Sequence, residues 1–215
     1  MVFNAYFECV KARSAFEGQL LVLIGLEVGQ PYSDLKLADK VVSNRPYDFI
    51  LGSIHVPKGY GGLDIKNVPY SEIDVYKFMS DYFRELSEIA NWKGCDSLAH
   101  ITAPMRRIEG RLGIEFDYSK IQSDTDNLLK EIIINKKCLE INTSGLRQPI
   151  GKIMPEESII KRYRELGGTL ITIGSDAHNA SDVGEGLKVG METAKKCGFN
   201  SITFFVEREP MTVEI

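Results

Sequence analysis

Short apolar segments that alternate with segments of helical periodicity constrain the fold of this chain more than any other feature of its sequence. The strand-like segments end near residues 27, 55, 100, 142, 176 and 206, at intervals of roughly 28 to 45 residues. A continuous apolar run, such as residues 20–29, is typical of a strand that is covered on both faces of a parallel sheet. Each interval accommodates a strand, a helix and two loops, so the pattern predicts a series of βα units.

The composition indicates one globular domain. The 215 residues are 43% hydrophobic and 26% charged, which is enough to bury a sizeable core. No low-complexity linker interrupts the alternation of strands and helices, so we predict a single domain over residues 1–215. The expected architecture is an α/β fold with a parallel sheet that curls as in a TIM-type barrel.

Charge and cysteine content exclude several classes of protein. The net charge is -4 and no dense run of lysine or arginine occurs, which argues against binding to nucleic acid. No apolar run reaches the ~18 residues of a membrane span, and the first residues are too polar for a signal peptide. The four cysteines are far apart, which indicates reduced thiols: Cys9, Cys95, Cys138 and Cys197. We therefore expect a cytoplasmic protein without nucleic-acid or membrane partners.

The three histidines of the chain share one kind of position. His55, His100 and His178 each lie at or just after the end of a predicted strand, and Glu27 and Asp176 lie at similar positions. In parallel α/β folds the carboxyl ends of the strands form the rim where sites are built. A single histidine there is more often structural than a ligand. Three histidines with two carboxylates, which are costly to bury unless paired or bound to metal, predict a metal site.

The predicted ligands are nitrogen and oxygen atoms, without thiolate. Such a set suits Zn²⁺, Mn²⁺ or Fe, and a carboxylate such as Glu27 can bridge two ions. Neighbouring divalent ions lower the pKa of a bound water and hold phosphoryl oxygens, so hydrolysis is the expected chemistry.

Two arginines provide candidate phosphate ligands. Arg106 and Arg147 follow strand ends at the same predicted rim, and arginine binds phosphate through two parallel hydrogen bonds. Arg107 and Arg111 are interpreted equally well as solvated loop residues. The glycine-rich segment 59–62 after His55 is interpreted as a flexible loop.

The segments GLEVG, DFILGSIH, CDSLAHIT, LEINTSGLR and TLITIGSDAH occur in this order over nearly the whole chain. Together they resemble the PHP (polymerase and histidinol phosphatase) superfamily, and within it the histidinol-phosphatases of histidine biosynthesis. The resemblance implies a distorted (βα)7 barrel that holds one to three divalent ions and hydrolyses L-histidinol phosphate. The metal ligands that it implies are Glu27 as the bridge, His55, His100, Asp176 and His178. It also implies catalytic roles for Asp176 and His178 and phosphate binding by Arg106 and Arg147.

The sequence departs from the family pattern in one respect. Members of the family begin with a strand that carries His-x-His, whereas this sequence has no histidine before position 55. We therefore expect a truncated barrel that lacks the first βα units, keeps about six parallel strands and binds an incomplete set of ions. Open parallel edges need a cover, which a neighbouring subunit of a homo-oligomer would provide.

Two further functions are compatible with the sequence. The first is a catalytically impaired PHP-like protein that binds a metal ion or a ligand. The second is a PHP phosphoesterase that acts on nucleotides. Both enzymatic readings predict a small phosphorylated substrate as the partner of this chain.

Overall fold

The computed structural model describes residues 2–62 and 64–215. Its helices and strands alternate over most of the chain. The helices are α1 Val2–Ala15, α2 Leu35–Ser43, α3 Val75–Asn91, α4 Met105–Ile108, α5 Gln122–Ile134, α6 Glu157–Glu165 and α7 Leu187–Lys196. The strands are β1 Gly25–Gly29, β2 Phe49–Ser53, β3 Ser97–Leu98, β4 Cys138–Asn142, β5 Ile171–Gly174, β6 Ser201–Val206 and β7 Glu209–Glu214.

The first five strands form one parallel sheet in chain order, β1-β2-β3-β4-β5. Each strand is connected to the next through at least one helix, so the carboxyl ends of all five strands point the same way. This arrangement confirms the predicted α/β class. It also places the residues that follow each strand at a common rim.

The parallel sheet has five strands among the described residues, one fewer than the roughly six that the sequence predicted. β6 forms where the sequence predicted a strand, but it pairs antiparallel with β7 through a two-residue turn at Glu207 and Arg208. Both turn residues have positive φ angles, 52° and 69°, as hairpins of this loop length require. An apolar run predicts a strand but does not specify its partner, and β7 is exposed along its length, so it gave no apolar signal.

The predicted strand 20–29 is also shorter than expected. Only Gly25–Gly29 forms β1, while Leu20 and Leu21 are exposed. β1 lies at the edge of the sheet and has a single neighbouring strand, so the apolar residues that precede it gain no second strand to cover them.

Helix α3 forms most of the layer that supports the rim. It begins after Asp74, whose side chain accepts hydrogen bonds from the N–H groups of Tyr76 and Lys77 at 2.9 and 3.1 Å. Its buried side chains recur at helical spacing and include Phe78, Met79, Tyr82, Phe83, Leu86 and Ile89. A Cβ atom at Gly52 of β2 would lie 2.6 Å from Ile89, so the helix packs directly on the strand that leads to His55.

Asp48 connects three segments at the opposite end of the sheet, where β2 begins. Its Oδ2 accepts a hydrogen bond from the N–H of Ile24 at 2.7 Å and contacts Arg13 of α1. Its Oδ1 accepts the N–H of Glu207 in the hairpin turn at 3.1 Å. One buried carboxylate therefore joins α1, the start of β1 and the hairpin.

Asp96, which precedes β3, likewise connects separate segments through hydrogen bonds. Its Oδ2 accepts the N–H of Ile50 at 2.8 Å and the Nε–H of Arg208 at 2.6 Å. The ring of Phe205 stacks on Phe49 with centroids 5.1 Å apart, so the hairpin also contacts the apolar face of β2. The homo-oligomer that the sequence analysis expected stays a prediction.

Burial determines the reactivity of two of the cysteine thiols. All four cysteines are free, and burial raises the pKa of Cys95 to about 11 and that of Cys138 to about 12, so these two thiols are unreactive at neutral pH.

Over residues 2–62 and 64–215, none of the helices combines the length and apolar character that crossing a bilayer requires.

The contacts of Asp48 lead to a prediction about stability. Burial alone would raise the pKa of its carboxyl group, but the bonds from Ile24, Glu207 and Arg13 outweigh burial and hold that pKa below its usual value. We expect Asp48→Asn to lower the free energy of unfolding by about 2–3 kcal/mol at pH 7, because a buried N–H and Arg13 lose a charged partner. Urea denaturation measures the change, and Asp117→Asn in an exposed turn is a control that should lose less.

The same difference depends on pH with a defined sign. A carboxyl group whose pKa is lower in the folded chain stabilises the fold above its unfolded pKa, and this contribution disappears as the pH falls through the folded pKa. The gap between wild type and Asp48→Asn should therefore shrink as the pH falls from 7 to below about 4. A gap that stays constant over this range would contradict the assignment.

Candidate metal centre

Glu27, His55 and His100 meet at the rim of the sheet. Each offers one ligand atom, and these atoms lie within 4.8 Å of one another. Glu27 Oε1 is 3.3 Å from His100 Nε2 and 3.9 Å from His55 Nε2. Donors that surround one zinc ion tetrahedrally at about 2.0–2.2 Å are separated from each other by roughly 3.3–3.6 Å. The three side chains can therefore share an ion with only small movements.

Three neighbouring strands bring these side chains together. Glu27 lies within β1, directly opposite Leu51 of β2, and His55 follows β2 by two residues. His100 follows β3 by two residues and is buried, with its ring centroid 5.5 Å from that of His55. The parallel order of β1, β2 and β3 is what places residues so distant in sequence at one point.

His100 has an unusual backbone conformation. Its φ angle is 29°, in the left-handed region that non-glycine residues rarely adopt. Its N–H donates a 2.7 Å hydrogen bond to Oε2 of Glu140, which stabilises the turn. Such strained residues persist where the surroundings hold them, and they concentrate at functional sites.

The electrostatics of the cluster favour a metal ligand set. Burial would raise the pKa of Glu27, but the hydrogen bond and charge of His100, with the charge of His55, lower it to about 2. Burial and the neighbouring His100 lower the pKa of His55. Burial would also lower the pKa of His100, but Glu27 and Glu140 outweigh it and raise that pKa. Glu27 is thus ionised and the shift of His55 favours its neutral form, as metal binding requires of these ligands, whereas an ion that binds His100 has to displace a proton that its raised pKa favours.

The donor set fits a divalent ion of the zinc type. One carboxylate and two imidazoles, without thiolate, are typical of zinc, manganese and iron sites. In addition, Nδ1 of His100 is buried without a hydrogen-bond partner among the described residues. Burial of an imidazole nitrogen without a hydrogen-bond partner costs free energy, which the other contacts of the site must offset.

Asp176 belongs to a second group beside this cluster. It follows β5 with a left-handed φ of 48°. Its Oδ2 accepts hydrogen bonds from Arg106 Nη2 and Ser144 Oγ, both at 3.1 Å, and its Oδ1 lies 3.3 Å from Nε2 of His178. The structure therefore pairs Asp176 with Arg106 and His178. It does not place Asp176 within the three-residue cluster.

The two groups are neighbours at the same rim. Asp176 raises and Arg106 lowers the pKa of His55 through their charges, so the second group acts electrostatically on the cluster. His178 differs from the other histidines, because its side chain is 87% exposed. Of the five predicted ligands, three converge closely, and Asp176 with His178 form an adjoining pair.

Arg147 is held against the backbone of the same segment. Its Nη2 donates to the carbonyl oxygen of Ser175 at 2.8 Å and lies 3.4 Å from that of Asp176. Its Nε lies 3.7 Å from a carboxylate oxygen of Glu185, while Nη1 is buried without a hydrogen-bond partner among the described residues. Arg147 thus supports residue 176, a contact that the sequence did not reveal.

Three polar residues on or after β4 were missed by the sequence analysis. They are Glu140, Asn142 and Ser144, which are all buried. The signal was present in the LEIN segment, because an acidic residue within an apolar strand is costly to bury unless it has partners.

The parallel sheet and the group of donors at its rim define an α/β barrel-type protein with a candidate metal centre. The chain belongs to the PHP domain family, whose model matches residues 2–144. This agrees with the family that the sequence motifs resemble.

Related proteins agree with this assignment. A probable histidinol-phosphatase of Clostridium acetobutylicum is 32% identical over 188 residues, which are 85% of this chain and 71% of that protein. A second, from Thermotoga maritima, is 31% identical over 71% of this chain and 58% of its own length. The structure of histidinol phosphate phosphatase from Lactococcus lactis, complexed with zinc, L-histidinol and phosphate, matches with a TM-score of 0.77. The match covers 97% of this chain and 79% of the Lactococcus lactis chain, and the two sequences are 18% identical. The likeness confirms the predicted PHP barrel fold.

Glu27 allows a direct test of the metal site. We expect Glu27→Gln to weaken Zn²⁺ binding by more than about 100-fold, beyond the 10- to 100-fold typical of residues that only support a ligand. Isothermal titration calorimetry on the purified protein measures the affinity. Glu72→Gln, an exposed glutamate, is the matched control and should bind like wild type. Wild-type affinity in Glu27→Gln would refute the site.

Proposed function

We propose that this protein is a metal-dependent phosphomonoester hydrolase that converts L-histidinol phosphate and water to L-histidinol and phosphate. The observation that carries the proposal is the convergence of Glu27, His55 and His100 within 4.8 Å, beside Arg106, at the rim of the sheet. Family membership and the names of the related proteins support the same reaction. The proposed setting is histidine biosynthesis in the cytoplasm, and the proposed cofactors are one to three ions of zinc, manganese or iron.

Divalent ions in such a site lower the pKa of a bound water and polarise a phosphoryl oxygen. Glu27, His55 and His100 would hold the first ion, with Glu27 as the bridge to a further one. Asp176 and His178 lie on the neighbouring segment and would complete the ligand set.

Arg106 is the main candidate for binding the phosphate group. Its guanidinium is partly buried, with Nη2 at 3.1 Å from Asp176 and Nε at 3.3 Å from the sulfur of Met154. A phosphate group can replace the carboxylate and accept two parallel hydrogen bonds from this side chain. The donor that Arg147 can add is Nη1, because its Nη2 is already bonded to Ser175.

Asp176 and His178 are candidates for proton transfer at the edge of the site. Nε2 of His178 lies 3.3 Å from Oδ1 of Asp176, and the side chain of His178 is 87% exposed. If His178 does not bind an ion, a proton on its Nε2 would be available to the oxygen of the alcohol that leaves phosphorus.

A second candidate follows from the size of the ligand cluster. Glu27, His55 and His100 offer three donor atoms within 4.8 Å, which is enough to bind one ion without any catalytic step. A protein that binds a metal ion tightly but releases no phosphate would be the catalytically impaired PHP-like protein of this second candidate.

Phosphate release tests the proposed reaction. Purified protein with added Mn²⁺ or Zn²⁺ should hydrolyse L-histidinol phosphate, and Arg106→Ala should lower kcat/KM by about 100-fold or more, because the phosphate loses a bidentate partner. Arg111→Ala, an exposed arginine on the following loop, is the matched control and should retain full activity.

A panel of substrates separates the remaining readings. Faster hydrolysis of nucleoside monophosphates than of L-histidinol phosphate would favour the nucleotide phosphoesterase. Absence of turnover in protein that carries bound metal would overturn the proposed reaction.

A further inference from the structure

We propose that Glu140, Asn142 and Ser144 form a positioning network that fixes His100 relative to Asp176. The three residues lie on or just after β4, and we call them the β4 network. The proposal rests on the proposed function, because it gives these buried residues a role in metal binding and turnover. None of the three is among the candidate ligands.

The first link joins Glu140 to His100. Glu140 is 4% exposed, and its Oε2 accepts the backbone N–H of His100 at 2.7 Å. This bond holds the left-handed turn that directs the imidazole toward Glu27. A Cβ atom at Gly174 would lie 2.5 Å from Oε1 of Glu140, so the glycine of β5 leaves the space that the carboxylate occupies.

The second link runs along β4 from Glu140 to Asn142. The Nδ2 of Asn142 donates to Oε2 of Glu140 at 3.2 Å, and its Oδ1 accepts the N–H and the hydroxyl of Ser144 at 3.0 and 2.6 Å. The backbone of Asn142 is itself fixed by two hydrogen bonds with Met154, at 2.8 and 2.9 Å. Both ends of the amide are in use, so its orientation is determined.

The third link joins Ser144 to Asp176. The Oγ of Ser144 lies 2.6 Å from Oδ1 of Asn142 and 3.1 Å from Oδ2 of Asp176. A hydroxyl has one proton to donate, so the contacts of Ser144 with Asn142 and with Asp176 are alternatives, and the contact with Asn142 is the shorter one. Ser144 therefore lies between Asn142 and Asp176 and limits the positions that the carboxylate of Asp176 can take.

The topology explains why β4 carries these residues. β4 lies between β3, which leads to His100, and β5, which leads to Asp176. A row of side chains along β4 is thus the shortest connection between the ends of β3 and β5. Both ends of the row are residues with positive φ at the rim, 29° for His100 and 48° for Asp176.

A purely structural network would stabilise the core without ending at the site. The β4 network ends at two candidate ligands, and its carboxyl group is buried despite the cost of removing a polar group from water. Residues that orient metal ligands typically change metal affinity or activity by 10- to 100-fold when they are replaced. The same range is expected here.

The experiment compares Glu140→Gln and Ser144→Ala with a control, Thr125→Ala, in the full chain. Thr125 is buried in α5, and its hydroxyl donates to the carbonyl of Ile121 at 3.0 Å, a bond that involves none of the candidate ligands. Zn²⁺ affinity and stoichiometry are measured by calorimetry, stability by urea denaturation, and kcat and KM with L-histidinol phosphate.

Both network variants should bind Zn²⁺ 10- to 100-fold more weakly and show a similar fall in kcat with KM changed less than about 3-fold. Thr125→Ala should lose stability but keep wild-type affinity and kcat. If Glu140→Gln does not fold, the Zn²⁺ affinity of Ser144→Ala alone tests the proposal. Ser144→Ala removes a single hydroxyl, so this variant is expected to fold.

Two outcomes would overturn the proposal. One is wild-type Zn²⁺ affinity in both network variants. The other is an equal loss of affinity in Thr125→Ala, which would mean that affinity only follows stability. If wild type itself releases no phosphate, the proposed reaction fails while the affinity measurements still decide on the network.

Discussion

Parallel pairing of five strands in chain order is the constraint on which the rest of the structure depends. It brings the carboxyl ends of β1, β2 and β3 to one rim and gathers a glutamate and two histidines separated by tens of residues in sequence. It also places β4 between the strands that lead to His100 and Asp176. The site is therefore a product of strand order more than of any local motif, as in other parallel α/β folds.

The polar groups at the rim are mutually dependent. Glu27 stays ionised in a half-buried position because two imidazoles offset the cost of its burial, and His100 in turn is stabilised by Glu27 and Glu140. The buried imidazole of His100 would be unfavourable without these partners. Together the three side chains bring their donor atoms within 4.8 Å, which limits the reorganisation that binding of an ion requires.

Much of the fold was accessible from sequence because strand ends, helices and rim residues leave local signals. The apolar segments predicted the strand ends to within about two residues, and the histidines identified the rim. Partner choice left no such signal. β6 has the composition of a sheet strand yet pairs with an exposed β7, and Asp176 pairs with Arg106 instead of joining Glu27. Both depend on contacts between distant segments, as does the bond between Glu140 and His100.

The hairpin at the end of the chain has a consequence for the order of folding. Its turn bonds to Asp48 across 159 residues and to Asp96 across 112 residues. These are long-range contacts, which form slowly because the intervening chain must first be closed into a loop. During synthesis on the ribosome, the two carboxylates emerge long before Glu207 and Arg208 can reach them. Because these bonds form only after Arg208 has been translated, a shorter nascent chain lacks the stability that they contribute.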